Sequence, residues 1–199
     1  MSKRLELCYR KSLEGRWSMR FKTRHPDGDN YDGVILHIGE QFVVMREERD
    51  FEFDGLIVLP KKVVRGVRDG EFERCANEIL RHNGELARLK VPSWIGRCAT
   101  ISDILVTAAK RRIWPGIEML FNDGSTAFYL GPIESVSGEG FETRCYDAAG
   151  KWEKRYSLRW EEIFRVEIGS RYCTHFNKYM RARLPSYAGK GGSQRRGKR

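Results

Sequence analysis

The residues of this chain best suited to chemistry are cations and rings, and they crowd toward its C-terminal end. From position 169 onward there are nine Lys or Arg and no acid: Arg171, Lys178, Arg181, Arg183, Lys190, Arg195, Arg196, Lys198 and Arg199. Tyr172, His175, Phe176, Tyr179 and Tyr187 are interleaved with them. Guanidinium and ammonium groups neutralise phosphates with release of counterions, and planar rings stack on unpaired bases. That chemistry is nucleic-acid contact. The same composition also suits an acidic protein partner, and Phe176 and Met180 also suit a helix face packed on the body. A second cationic run, Lys110-Arg111-Arg112, joins the set.

Two smaller clusters could in principle do other work. His25, Asp27, Asp29 and Asp32 fall within eight residues and offer nitrogen and oxygen ligands for a cation. Counting Asp27 as the first residue of an EF-hand loop, the twelfth position holds Ile38 where Glu would be needed. Asp and Asn are also what a sharp turn selects, so a turn without metal is expected. Cys173 and His175 lie two apart, which on a helix directs them to different faces, so neither a shared metal nor a nucleophilic pair is expected. No phosphate-binding glycine loop, nucleophile elbow or His-Glu-x-x-His string occurs. The expectation is a protein without catalytic residues, cofactor or metal.

The body that carries these groups has 199 residues and a net charge of +10, unevenly spread. Residues 1–24 carry eight Lys/Arg against two Glu, residues 25–168 twenty against 25 acids, and the remainder nine against none. Two basic ends thus flank a slightly acidic body. With 40% hydrophobic and 12% aromatic residues the chain can bury a core. No apolar run reaches the ~18–20 residues of a membrane helix, and no signal-like stretch opens the chain. Five scattered cysteines without a Cys-x-x-Cys pair fit reduced thiols. A cytoplasmic protein away from membranes is expected.

Periodicity places the elements. Strand signals fall at 16–21, 31–38, 41–46, 55–59 and 63–68, with a charged loop over 47–54 and a tight connection at Pro60-Lys61-Lys62. Phe72, Cys75, Ala76, Ile79 and Leu80 then take helical spacing up to His82-Asn83-Gly84. Residues 116–121, 126–136 (long and bent), 141–146, 152–158 and 163–168 repeat that order, and a helix over Tyr172, Phe176, Tyr179 and Met180 follows. A further helix begins near Thr100, with Ser102 as its expected cap, and ends at Arg112; residues 3–13 suggest a counterpart.

The halves also match residue by residue at an offset drifting from 97 to 100: Trp17 with Trp114, Tyr31 and Gly33 with Tyr129 and Gly131, Phe72 with Tyr172, Asn77 with Asn177. Short bent strands with a one-turn connection before the last describe a mainly β protein of two tandem five-stranded SH3-like or Sm-like small barrels, each followed by a short helix. The expected division is a first module over 14–84, a linker over 85–99, a second module over 100–183 and a disordered basic tail over 184–199. Tyr31-Asp32-Gly33-Val34-Ile35-Leu36-His37-Ile38-Gly39-Glu40-Gln41-Phe42-Val43-Val44-Met45 with Asp54-Gly55-Leu56-Ile57-Val58-Leu59-Pro60 resembles uncharacterised bacterial proteins built from small Sm-like barrels, and 129–133 with Cys145-Tyr146-Asp147 and 162–166 is similar to their second module. That resemblance carries no catalytic motif. Sm-like barrels often bind RNA or assemble into rings and SH3-like ones often bind peptides, but fold does not fix function. The expected role is a non-enzymatic accessory protein contacting RNA or DNA through its basic ends. The alternative is a protein–protein adaptor or inhibitor using strand edges or the groove between barrels.

Overall fold

The computed structural model describes residues 3–183. Its mainly β architecture, 39% strand and 33% helix, begins with helix α1 (Lys3–Gly15). Strands β1 (Met19–Thr23), β2 (Asn30–Ile38), β3 (Phe42–Arg49) and β4 (Glu52–Pro60) follow, then a single turn over 61–63, β5 (Val64–Arg68) and α2 (Glu71–His82). After α3 (Ile101–Lys110) come β6 (Gly116–Leu120), β7 (Thr126–Leu130), β8 (Ile133–Val136), β9 (Gly140–Tyr146) and β10 (Trp152–Arg159). A single turn over 160–162, β11 (Ile163–Ile168) and α4 (Arg171–Ala182) complete the described chain.

The strands do not close into two separate barrels, as the sequence pattern suggested. Eight of them form one antiparallel sheet, ordered β5-β1-β2-β3-β4-β11-β6-β7, and three form a second, ordered β10-β9-β8. The fusion point is β4 with β11, where Val58 faces Val166 and Leu56 faces Ile168. Period-two patterning says which face of a strand is buried, but not whose edge it pairs with. Both strands are mostly buried on both faces, so pairing them joins the halves while covering two strand edges.

The repeat is visible in strand order: β11-β6-β7, continued by β8-β9-β10, mirrors β5-β1-β2-β3-β4 once the bent strand is allowed to break. The break falls at Gly131-Pro132, where the proline cannot donate to a ladder. Gly33 and Gly131 show why both halves need glycine here. A Cβ on Gly33 would lie 2.2 Å from the Arg46 carbonyl oxygen, and one on Gly131 2.2 Å from that of Arg144. The two glycines and the two arginines are each 98 positions apart.

Three local expectations are corrected. The charged stretch 47–54 is not a loop: β3 and β4 run on and close over a two-residue turn, Asp50-Phe51, with positive φ at both (52° and 65°). Glu48 Oε1 accepts the Phe51 N–H and holds that turn. Helix α3 is capped by Thr100 rather than Ser102, because Thr100 accepts from the Asp103 N–H while the Asp103 carboxylate accepts from the Thr100 N–H. The 85–99 connection is packed, with Trp94, Ile95 and Cys98 buried in the main core. That core draws Phe42, Val44, Leu56 and Val58 from the first half and Ile117, Met119, Phe141 and Val166 from the second, with α3 between them. A smaller core under α1 holds Tyr9, Phe21 and Ile35, and a third under α4 holds Leu130, Tyr146, Cys173 and Met180. No helix among the described residues is long and apolar enough to cross a membrane.

Candidate nucleic-acid interface

Helix α4 starts where the Ser170 hydroxyl accepts the Cys173 N–H. It buries Cys173, Asn177 and Met180, the i, i+4, i+7 stripe of an amphipathic helix. Asn177 fixes its rotation: Oδ1 accepts from the Tyr146 hydroxyl at 2.6 Å and Nδ2 donates to the Trp114 carbonyl at 2.8 Å. With that face down, Tyr172 and Tyr179 face outward, 54% and 48% exposed.

These rings form a continuous ladder. Phe128 of β7 lies 6.4 Å from Tyr172, Tyr172 lies 5.8 Å from Phe176, and Phe176 lies 6.3 Å from Tyr179. Phe176 is the inner member, edge-on to Tyr146 at 4.8 Å. Cations border the ladder at its C-terminal end. Arg183 sits over the Tyr179 ring at 4.9 Å and donates to its hydroxyl. Arg181 lies over Trp114 at 4.5 Å and donates to the Arg112 carbonyl oxygen. That last bond brings the run Lys110-Arg111-Arg112 at the end of α3 against the end of α4. Arg111 lies over Trp94 at 5.8 Å, and Lys110, Arg112 and Lys178 are exposed.

Arg171 does not join this surface. It sits at the opposite end of α4, 3.3 Å from Glu52, while its own N–H donates to Asp54 Oδ1 at 2.7 Å. The acids that take it up come from β4, more than a hundred positions earlier in the chain. Lys190, Arg195, Arg196, Lys198 and Arg199, with Tyr187, lie outside the described residues.

A second cationic surface was missed at the sequence level. A groove of about 1490 Å³ between the halves is lined by Arg24, Lys61, Lys62, Arg65, Arg159 and the start of α3. Glu40, Glu139 and Glu161 line it too. Lys62 donates to the Glu161 carbonyl, Lys61 approaches Glu6 and Arg159 pairs with Glu161. Among the described residues Arg24 and Arg65 enter no ion pair. Lys61-Lys62 reads from sequence as a tight connection; its place opposite the turn at 160–162 follows from the β4–β11 pairing.

The remaining candidates resolve simply. Trp94 is buried in the main core. Trp17 and Trp114 are half-buried, each beneath a cation, Lys11 and Arg181. Burial pushes the Cys173 thiol up to about 12 and the Cys145 thiol up to about 11, which keeps both in the unreactive thiol form. Exposed His175 and buried Cys173 face different ways, as their spacing requires. Of the turn cluster, Asp32 is taken by a two-pronged contact from Arg20. No family model, curated protein or solved structure matches the chain.

Proposed function

We propose that this protein is a non-enzymatic nucleic-acid-binding protein that holds single-stranded RNA or DNA on α4 and the end of α3. The observation that carries this reading is the ladder Phe128–Tyr172–Phe176–Tyr179 beside Lys178, Arg181, Arg183 and Lys110-Arg111-Arg112. Exposed rings supply sequence-tolerant stacking and the cations supply phosphate neutralisation. The basic stretch from Lys190 to Arg199 continues the same charge along the chain. The two halves, joined through the β4–β11 pairing, act as a platform for the helices. Fluorescence anisotropy with labelled oligonucleotides across a salt series tests the reading. Expected is a log–log salt slope of about −0.7 per phosphate contacted on a single strand, smaller in a chain ending at Arg183. Absence of binding at moderate salt overturns it.

A second reading, an adaptor that takes an extended peptide, draws on β10, which among the described residues pairs with β9 alone. Lys154 of that strand enters no ion pair among the described residues and would favour an acidic segment, while Arg155 and Arg159 are taken up by Glu134 and Glu161. Capture of a stoichiometric protein that survives deletion of the tail distinguishes it.

A further inference from the structure

Apart from the nucleic-acid surface, the junction of the two halves holds a concentration of buried polar atoms that the fold leaves unserved. His25 Nε2, Tyr31 Oη and Glu47 Oε2 are all buried without a hydrogen-bond partner. Around them lie the buried carboxylates of Glu118 and Glu167 and the guanidinium of Arg165, which stacks on Tyr31 at 5.0 Å. An unmade hydrogen bond in such a place is costly, so a group that meets one is favoured there.

His25 is the informative member. Its side chain is only 3% exposed, and Nε2 lies 3.2 Å from Glu118 Oε1 without the alignment of a hydrogen bond. Two donors on one first-row cation, each ~2.1 Å from it, stand about 3.0–3.4 Å apart at octahedral to tetrahedral angles. Asp29 supplies a third donor from beside the ring: its Oδ2 lies 3.8 Å from Nδ1, and one ligand atom from each of His25, Asp29 and Glu118 lies within 4.8 Å of the others. Arg165 Nε donates to Glu118 Oε2 at 2.6 Å, which orients the carboxylate and leaves Oε1 toward the imidazole.

We propose that His25 Nε2, Glu118 Oε1 and the Asp29 carboxylate form a site for one first-row divalent cation that ties the turn after β1 to β6 of the second half. Charge supports it. Asp27, Asp29, Glu47, Glu118 and Glu167 set five carboxylates against Arg49 and Arg165, an excess that a divalent ion reduces. Asp29 is half-exposed and gives the ion an entry path with room for water. The Asp27 N–H donates to Nδ1 at 3.2 Å, so the ring proton sits on Nε2. Binding at Nε2 moves that proton to Nδ1. The Asp27 N–H bond then gives way, and the Asp27 carboxylate oxygen, 3.8 Å from Nδ1, becomes the outer partner that fixes the ring.

The test uses Mn²⁺, which binds thiols weakly and so avoids the five cysteines. After EDTA treatment the full chain is titrated while the electron paramagnetic resonance signal of free Mn²⁺ is followed. Expected is uptake of one equivalent, with broadening of one of the four histidine ring signals in NMR spectra. Asp29→Asn, at a half-exposed position, is expected to melt as wild type without metal and to bind Mn²⁺ at least about tenfold more weakly. Glu118→Gln should weaken it similarly. At a hundredfold excess over Kd the melting temperature should rise by about 5–10 °C in wild type only. No uptake, or uptake unchanged in both variants, overturns the site. Neither result bears on oligonucleotide binding, which is read separately.

Discussion

Helices α2 and α4 occupy equivalent places and are held by the same device, yet they present opposite surfaces. Asn77 and Asn177, exactly 100 positions apart in sequence, both reach under the strand that follows a tryptophan. Asn77 accepts from the Ser18 N–H and donates to the Ser18 and Glu73 carbonyls; Asn177 holds Tyr146 and the Trp114 carbonyl. Each helix also exposes an aromatic at the matching position, Phe72 at 52% and Tyr172 at 54%. Beyond that they diverge. Helix α2 carries three Glu against two Arg, and Phe72 is covered by Arg20 and Arg68, which lie 5.7 and 5.9 Å from its ring. Helix α4 carries no acid, and Tyr172 continues into a ladder of rings. The shared asparagine holds each helix to its half, whereas the exposed surfaces of the two helices are not shared.

The strongest way to break this comparison is through the shared backbone contact. Gly33→Ala and Gly131→Ala each drive a Cβ into a carbonyl oxygen at 2.2 Å, so each should cost about 3 kcal/mol in urea unfolding. A large inequality between them would show that the two halves are not built alike. Asn77→Ala and Asn177→Ala should each cost about 2–3 kcal/mol by stranding buried partners. Only Asn177→Ala should also weaken oligonucleotide binding, because it frees α4.

Side-chain truncation on the surfaces sharpens the contrast. Tyr172→Ala and Tyr179→Ala should each lose about 1–3 kcal/mol of binding by anisotropy, roughly 5- to 150-fold. Phe72→Ala should leave affinity unchanged, and so should Arg171→Ala, since that cation is engaged with Glu52 and Asp54. The smallest effect concerns pH. Burial, outweighing the contact with Arg49, holds the Glu47 carboxyl above its ordinary value of 4.5. A raised carboxyl favours the folded state below the unfolded value and loses that contribution as pH rises through the folded one. Glu47→Gln should therefore flatten the fall in stability above about pH 4.5, measured by urea unfolding at several pH values.

Much of this was legible in order along the chain. Alternation, turn residues and helical spacing located nine strands one for one, and the bend in 126–136 became the break between β7 and β8. The offset matches foretold the repeated strand order because each pair sits where local geometry leaves little choice: a glycine against a carbonyl, an asparagine under a strand. The cation-rich helix was visible because acids are missing from it altogether. Its neighbour was not. Nothing local places Arg112 against Arg181, sends Arg171 to β4, or sets Lys62 against Glu161 across 99 residues.

What the sequence determined by itself is therefore the set of elements, their repetition and the sign of their surfaces, since these follow from side-chain type at short spacing. Tertiary structure alone decided which edges meet. Pairing β4 with β11 drew strands of the two expected barrels into one eight-stranded sheet, beside a second of three, and set the halves against each other across the groove. It also carried Glu118 to His25, 93 positions away, completing a polar cluster of which the sequence showed only the turn. Strand pairing satisfies backbone groups that every residue carries alike, so side-chain pattern can specify a buried face without naming the partner edge.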